Sequence, residues 1–600
     1  MKSGDPGGMV INKLFRIPGL ILNGKKLAGV LRGHMSGAGM IRENDAHIEA
    51  GAVWLMKAQE RGGGGYSRRY CLYDGWDKPY IETTGYIIPT MLSAGRYLNN
   101  DGFIESAKKA AHWLLGVQKE NGAFCEPDSG LEQVFDTGQV LTGLLAAFRE
   151  WADERFLDAA VKAGTWLTSV QEKDGSWQKY AYNHIKHTYY VKVSAALLNL
   201  ARETASEMFY DAALKNIRWA IGCQAEDGFF RFMNFKEGES PFLHTIAYVL
   251  EGLMDSYEFA REKSILDAAQ TSVDALMKIN QTRDLLLCSQ YDERWVPANK
   301  ERCITGLAQW AGIALKAYEH TGDNDLLTQA VKTMYYLKSK QHLKPDPDLY
   351  GGLPGSVPLW GKYLGFCYPN WGVKFFIDAL IDYEKYSIPL WREQEIWVTE
   401  SFKSSDTVVK DALDAKDRIY TAIIEKVINT DKDLRVLDIG CGKGKFIRHF
   451  KNRYPHWKIT GVDPSFSRDS NIKTGSVYTL PVPDGSADVA LLIEVAQHVK
   501  DLDRAMAELS RVLNMDGYLV IGDREPFSII GALKPLMETA GMWMYPWDSP
   551  FREQWRGPRD WKDIFGEQWQ IIFSRSFDNP VNRIPLSNRF YVIIARKKKA

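Results

Sequence analysis

The chain has 600 residues, of which 45% are hydrophobic, with 75 Lys plus Arg set against 75 Asp plus Glu. That length exceeds what one hydrophobic core supports, so two or more domains are expected. The cancelled charge leaves no global field to draw the chain to nucleic acid or an anionic membrane. Seven cysteines, scattered and never in a C-x-x-C pair, fit a reducing compartment and speak against a disulfide framework or a metal site. No secretory signal and no bilayer-length apolar run is found, which points to a cytoplasmic protein.

Residues 1–44 read as an N-terminal strap. Within them, residues 9–31 mix apolar side chains with Lys13, Arg16, Lys25 and Lys26, so a peripheral membrane contact is open. Pro18, Gly19, Asn23 and Gly24 interrupt any long amphipathic helix there and favour a strap packed on its own domain.

Residues 45–385 carry a repeat. The stretch WLTSVQEKDGSW at Trp166 aligns with WLMKAQERGGGGY at Trp54, WLLGVQKENGAF at Trp113 and WAIGCQAEDGFF at Trp219, and weaker copies place Gln281 and Gln341. The six glutamines, at 59, 118, 171, 224, 281 and 341, share one period, and a fixed period outweighs any single motif. Each period predicts a helix ending at the motif, a Gly/aromatic loop, and a second helix rich in small residues. The second helices are predicted to begin near Thr84, Thr137, His187, His244, Thr305 and Asn370. Six such hairpins predict an all-α (α/α)6 toroid, with the small-residue helices inside.

This organisation resembles the toroid of terpenoid cyclases, glucuronyl C5-epimerases, and several polysaccharide lyases and glycoside hydrolases. The terpene reading would require a D-x-D-D acid motif. The nearest stretch, PDPD at 345–348, lacks the paired final Asp and reads as a turn. What the resemblance leaves open is the chemistry, since one fold hosts many activities.

The loops leading to the inner helices are expected to meet at one mouth. They bring Arg68 and Glu82, then Asp136, then Tyr180 and His187, then Arg231 and His244, then Glu301. Flat aromatics with Arg suit an acidic sugar chain, because guanidinium forks a uronate carboxylate. Lyase or epimerase chemistry would draw on Arg68, Arg231, Tyr180, His187 and His244 as cation, base and acid. A hydrolase would need opposed carboxylates, for which Glu82, Asp136 and Glu301 are the candidates. Each of these residues also has a plain structural reading as a helix cap or a satisfied buried polar group.

Residues 386–402 read as a linker, after which strands alternate with helices over 403–600. LRVLDIGCGKGKF (434–446) is a buried strand, a Gly-rich turn and a helix; WKITGVDPS ends a second strand in an acid; QIIFSRSF and RFYVIIARKK read as a closing antiparallel pair. A doubly wound, Rossmann-like α/β sheet is predicted. The motif D-x-G-x-G-x-G, complete as Asp438, Gly440, Gly442 and Gly444, resembles that of class I S-adenosylmethionine-dependent methyltransferases. The resemblance implies that S-adenosylmethionine binds there, with Asp463 on the ribose hydroxyls. Ser476 and Val477 would meet the adenine, Ser476 standing where the family commonly has an acid, and Glu494 follows the fourth strand. His498 is the candidate base, and Asp523 and Arg524 could orient the acceptor. The segment 526–560 is expected to form the acceptor lid. An NAD-binding sheet is the alternative for such a turn, but the antiparallel end favours the methyltransferase.

The combined expectation is a bifunctional enzyme of glycan biosynthesis. Its partner is a polysaccharide or glycolipid-linked glycan, methylated on a sugar hydroxyl or carboxylate while the toroid acts as lyase, epimerase or hydrolase. The alternatives are a toroid that only binds glycan, or a lipid or natural-product methyltransferase with a degenerate cyclase-like toroid.

Overall fold

The computed structural model describes residues 41–282, 286–390, 392–393, 396–397, 413, 415–464, 470–524, 556–578 and 589–598. Residues 1–40 of the expected strap, with its 9–31 segment, most of the expected lid and residues 398–412 lie outside them. The chain divides into two compact units, with the boundary between Leu390 and Trp391, inside the stretch read as a linker.

The first unit contains twelve α-helices among the described residues: α1 Asn44–Arg61, α2 Ile81–Tyr97, α3 Asp101–Val117, α4 Val134–Trp151, α5 Glu154–Ser169, α6 Val191–Thr204, α7 Glu207–Ile221, α8 Leu243–Ala260, α9 Lys263–Thr282, α10 Ile304–Thr321, α11 Asn324–Lys340 and α12 Asn370–Tyr383. Burial sorts them into two rings. In α3 the buried positions are Phe103, Ser106, Ala107, Ala110, Ala111 and Leu114, the one-sided stripe of a helix with its other face in water. In α4 twelve of eighteen residues are buried, from Val134 to Ala147, so it is covered on both sides.

The even-numbered helices α2, α4, α6, α8, α10 and α12 pack each on the next, and α12 returns to α2. The odd-numbered helices pack outside them, α1 against α12. This is the (α/α)6 toroid. Crowding inside explains the small residues: a Cβ on Gly143 would lie 2.2 Å from the Gly85 carbonyl oxygen. The inner helices begin within about a turn of the predicted positions. Short turns join each inner helix to the next outer one. The long loops all fall at the opposite end, which is therefore the mouth.

The repeated glutamines are ring fasteners. Gln171 Nε2 donates to the Gly175 carbonyl of its own loop (3.0 Å) and to the Ala212 carbonyl of α7 (2.9 Å). Gln59, Gln118, Gln224 and Gln341 repeat the pattern on Gly64 and Ser106, Gly122 and Ala159, Gly228 and Ala268, and Gly351 and His47. The last pair joins the end of the repeat to its start. Gly175 must be glycine twice over: its φ is +94°, and a Cβ would meet the Lys215 carbonyl at 2.5 Å. Trp177 is buried and donates to the Leu167 carbonyl at 3.0 Å, so it seals its own hairpin. The Gln281 side chain lies outside the description.

At the mouth, strand β1 Arg69–Cys71 of the first loop pairs with β2 Gly75–Trp76 on one side and with β5 Cys367–Pro369 of the sixth loop on the other; β3 Arg302–Cys303 and β4 Ser356–Val357 form a second small ladder. Cys71 stands opposite Cys367 in the β1–β5 register, and the two form a disulfide. This corrects the expectation of free thiols throughout. Cysteines almost three hundred residues apart become neighbours only when the ring closes, so their spacing gave no signal. The other five cysteines are free and buried.

The second unit is a seven-stranded sheet with helices α13 Ala415–Val427, α14 Lys445–Arg453, α15 Leu502–Val512 and α16 Pro558–Phe565. Its strands are β6 Arg435–Ile439, β7 Lys458–Asp463, β8 Ile472–Thr474, β9 Ala487–Ile493, β10 Leu513–Arg524, β11 Trp569–Asp578 and β12 Arg589–Lys597, in the order β11-β12-β10-β9-β6-β7-β8. The five strands from β10 to β8 run parallel, and β12 and β11 complete the sheet antiparallel. The core divides between the two faces, with Val436, Phe446 and Phe450 on one and Leu437, Leu509 and Trp561 on the other. The strand order reverses between β6 and β9, which opens a crevice beyond their carboxyl ends.

Candidate functional site

Each unit has its own candidate site. In the toroid it forms where the inner helices begin. Glu82 and Asp136 lie in the first turns of the adjacent inner helices α2 and α4. Burial pushes the Glu82 carboxyl up to about 7, against hydrogen bonds from tyrosines that favour its ionised form. The Tyr248 hydroxyl donates to Glu82 Oε1 at 3.4 Å. Burial raises Asp136 further, and the neighbouring Glu82 charge adds to it. Asp136 Oδ2 is buried without a hydrogen-bond partner, an uncompensated acceptor that a protonated carboxyl or a ligand donor would relieve. Two carboxyls kept from ionising together can supply an acid and a base at one pH.

Of the other predicted toroid residues, His244 joins this cluster. Its ring lies 4.3 Å from that of Tyr248 and 5.5 Å from that of Tyr363. It is buried with Nδ1 at 2.6 Å from Gln309 Oε1, and burial lowers its pKa to about 4. His187 is also held neutral by burial, at about 4, with Nε2 at 2.8 Å from the Tyr182 carbonyl oxygen. Burial thus favours the neutral form of both imidazoles. Arg68 binds Asp77 Oδ2 at 2.8 Å and Asp128 Oδ2 at 3.1 Å, with its guanidinium 5.6 Å from the Tyr80 ring. Its charge is taken up by those aspartates.

Arg231 is exposed over the Phe232 ring at 5.9 Å. Tyr180 lines a separate open cleft of about 700 Å³ with Glu132, Lys179 and His184. Glu301 accepts from the Lys362 amide at 2.8 Å and is tied to the sixth loop. Tyr248 escaped the sequence reading, although its place four residues after His244 puts both on one helix face.

In the second unit the glycine turn closes β6 onto α14. Gly440, Gly442 and Gly444 have φ of +67°, +52° and +75°. A Cβ on Gly440 would lie 2.4 Å from Val495 Cγ2. The Gly440 amide donates to the Val462 carbonyl at 2.7 Å and the Gly442 amide to Asp463 Oδ2 at 2.8 Å. Asp463, at the end of β7, thus braces the turn as well as bordering the crevice. Asp438 is buried, with its pKa pushed by burial to about 7 and Oδ2 without a partner. An orphaned buried acceptor beside backbone that only glycine can form is a cradle suited to a polar, cationic ligand.

Ser476 is buried, its hydroxyl accepting from the Tyr478 amide at 3.1 Å, with Val477 packed beside it. Glu494, at φ +60°, pairs with Lys416 of α13. Burial alone would raise its pKa, but Lys416 and its neighbouring cations hold it below the ordinary value. Asp417 is buried and takes Lys445 at 2.8 Å. Nothing in the motif pointed to Lys416, Asp417 or Lys445, since no pattern reports which helix precedes the first strand in space.

His498 ends a short turn, 496–498, after β9, and its Nε2 lies 3.2 Å from Gln497 Nε2. Arg556 brackets that turn, donating to the carbonyls of Ala496 (2.8 Å) and Val499 (3.0 Å). Asp523 Oδ2 accepts from the Gln497 amide at 3.0 Å. Arg556 and Asp523 of β10 therefore hold the turn that carries His498.

The family model described as a methyltransferase domain matches residues 437–521. The chain is 29% identical over 119 residues to an uncharacterized methyltransferase of Schizosaccharomyces pombe, covering 16% of this chain and 42% of that one. It is 27% identical over 133 residues to a demethylmenaquinone methyltransferase of Thermotoga maritima, covering 21% and 57%. The chain thus spans about half the length of these relatives. The toroid is similar to the crystal structure of an unsaturated glucuronyl hydrolase specific for heparin, at 16% identity and a TM-score of 0.47, over 58% of this chain and 98% of that one. No helix among the described residues is long and apolar enough to cross a membrane. With its glycine turn, strand order and antiparallel end, the C-terminal region carries a class I methyltransferase domain, and S-adenosylmethionine is its cofactor.

Proposed function

We propose that the chain is a bifunctional glycan-modifying enzyme, hydrolytic in the toroid and methylating in the sheet unit. The observation that carries the toroid's part is the pair Glu82 and Asp136 on adjacent inner helices. Asp136, held well above the ordinary carboxylate range by burial and the Glu82 charge, serves as acid to the leaving glycosidic oxygen. Glu82, pushed up to about 7 by burial, serves as base or nucleophile. The two raised carboxyls near one another favour this over lyase or epimerase chemistry, and Arg68 is already engaged by Asp77 and Asp128. The exposed Arg231 suits a uronate carboxylate on the same substrate.

In the sheet unit the amides and carbonyls around Gly440, Gly442 and Gly444 would receive S-adenosylmethionine, with Asp438, Asp463 and Glu494 on its polar groups and Ser476 and Val477 beside its adenine. The cofactor supplies a methyl group on a sulfonium, ready for in-line displacement. His498 would take the proton of a sugar hydroxyl; a carboxylate acceptor needs no base. Arg556 and Asp523 would steady the turn that carries that imidazole.

The test is incubation of the full chain with labelled S-adenosylmethionine and a panel of acidic and neutral polysaccharides, read by mass spectrometry. Shortened glycan chains carrying label are expected. Label on a small non-sugar metabolite, with no glycan cleaved or modified, overturns the reading, and a product unsaturated at C4–C5 makes the toroid a lyase instead.

A further inference from the structure

An exposed aromatic residue is costly to hold rigid unless something binds it, and the third loop holds one. Tyr182 is 47% exposed. Its amide donates to the Tyr190 hydroxyl at 2.9 Å, and its carbonyl meets His187 Nε2 at 2.8 Å. The next two residues, Asn183 and His184, have φ of +56° and +54°, a left-handed turn that Asn and His adopt more readily than most side chains. Asn183 Nδ2 then donates to the Phe235 carbonyl of the fourth loop at 2.8 Å. The backbone that carries the ring is therefore held by bonds on both sides.

From Tyr182 a row of rings descends into the toroid. Centroids step 5.7 Å to Phe235, 6.1 Å to Phe242 and 5.2 Å to Tyr363. Phe235 and Phe242 are half-buried, and Tyr363 is buried. From Tyr363 the row reaches His244 at 5.5 Å and Tyr248 at 4.3 Å, whose hydroxyl is on Glu82. Exposure thus falls from Tyr182 at the rim to the buried Tyr363, His244 and Tyr248 inside. A ligand lying along this wall would meet several aromatic faces in succession, each able to cover the C–H face of one sugar ring while the hydroxyls stay in water or reach polar neighbours.

We propose that Tyr182, Phe235 and Phe242 form consecutive sugar-binding subsites, so that the toroid takes an oligosaccharide of several rings threaded along the wall formed by its third, fourth and sixth loops. This rests on the hydrolytic reading of Glu82 and Asp136. Because the rings are held before binding, little ordering cost accompanies each added sugar. Affinity is expected to grow by about tenfold for each aromatic face engaged, until the wall is filled.

The test uses the full chain as Glu82→Gln, so that substrate survives, and titrates it calorimetrically with hyaluronan and neutral β-glucan oligosaccharides from disaccharide to hexasaccharide. Tyr182→Ala and Phe235→Ala are each added to that background, with Tyr182→Phe as the conservative control. Affinity that rises with chain length in one series, flattens in both alanine variants and returns with phenylalanine supports the inference. Affinity independent of length, or a rise that survives both alanine variants, overturns it while leaving the hydrolytic reading intact. If neither series binds and the wild-type chain cleaves neither, both fall. Unchanged thermal midpoints separate a lost subsite from a lost fold.

Discussion

At the toroid's mouth Glu82 and Asp136 sit in the first turns of adjacent inner helices, and burial drives both carboxyls toward the neutral form. In the crevice of the sheet unit Asp463 and Glu494 stand at strand ends and Asp417 on α13, each with a partner: the Gly442 amide, Lys416 and Lys445. The first arrangement suits exchange of protons with a substrate. The second suits holding a ligand in one orientation, since charge-assisted bonds of fixed geometry position groups. The difference lies in what accompanies a buried acid: a cation beside it favours the charged form, and burial without one favours the neutral form.

The largest effects should come from breaking each arrangement at its centre. Glu82→Gln or Asp136→Asn should cut glycan cleavage by roughly 10³-fold, measured as reducing ends, while S-adenosylmethionine binding by calorimetry stays unchanged. Gly440→Ala should do the converse, lowering cofactor affinity by at least ~100-fold through the forced shift of the turn and Val495. If either substitution impaired both activities equally, the independence of the two sites would be lost.

The pH dependence sharpens the contrast. Glu82 must ionise to act, so cleavage should fall as pH drops below about 7. Its folded pKa lies above the ordinary value, so its stabilising contribution is present at low pH and lost as pH rises toward 7. The thermal midpoint of Glu82→Gln should therefore match wild type near pH 4 and exceed it above pH 7. A variant that remained equal at both ends would show the carboxyl to be solvated.

Smaller effects probe the supports. Arg556→Lys keeps the charge but cannot bracket two carbonyls at once, and should lower kcat for methyl transfer by roughly tenfold with the KM for S-adenosylmethionine unmoved. Gln171→Ala removes two bonds of one fastener among several, and should cost about 1–2 kcal/mol in chemical denaturation of the toroid with no change in either activity.

Much of this was legible beforehand for a physical reason. In the five described repeats the motif glutamine bonds within its own loop and to the adjoining outer helix, so the same short pattern recurs wherever the same local problem recurs. The glycine turn of the methyltransferase domain is likewise a local device, and its spacing marks the crevice itself. The toroid's motif marks fasteners instead, and its chemistry lies outside the motif. Arg68, His187 and His244 illustrate the limit: residue type suggested them as candidates, but the pairing of Arg68 with Asp77 and Asp128 and the burial of both histidines were not readable from position.

What the sequence determined by itself was periodic and short-range: six hairpins, the order of strands and helices, and the glycines that admit a cofactor. Only the closed tertiary structure decided which distant groups meet. Cys71 reaches Cys367, Gln341 reaches His47, Tyr248 reaches Glu82, and Lys416 reaches Glu494, each across a stretch of chain whose ends come together through packing. Periodicity reports how a segment repeats along the chain, whereas desolvation and Coulomb partners depend on what the fold brings beside it, and those set the ionisation of Glu82 and Asp136.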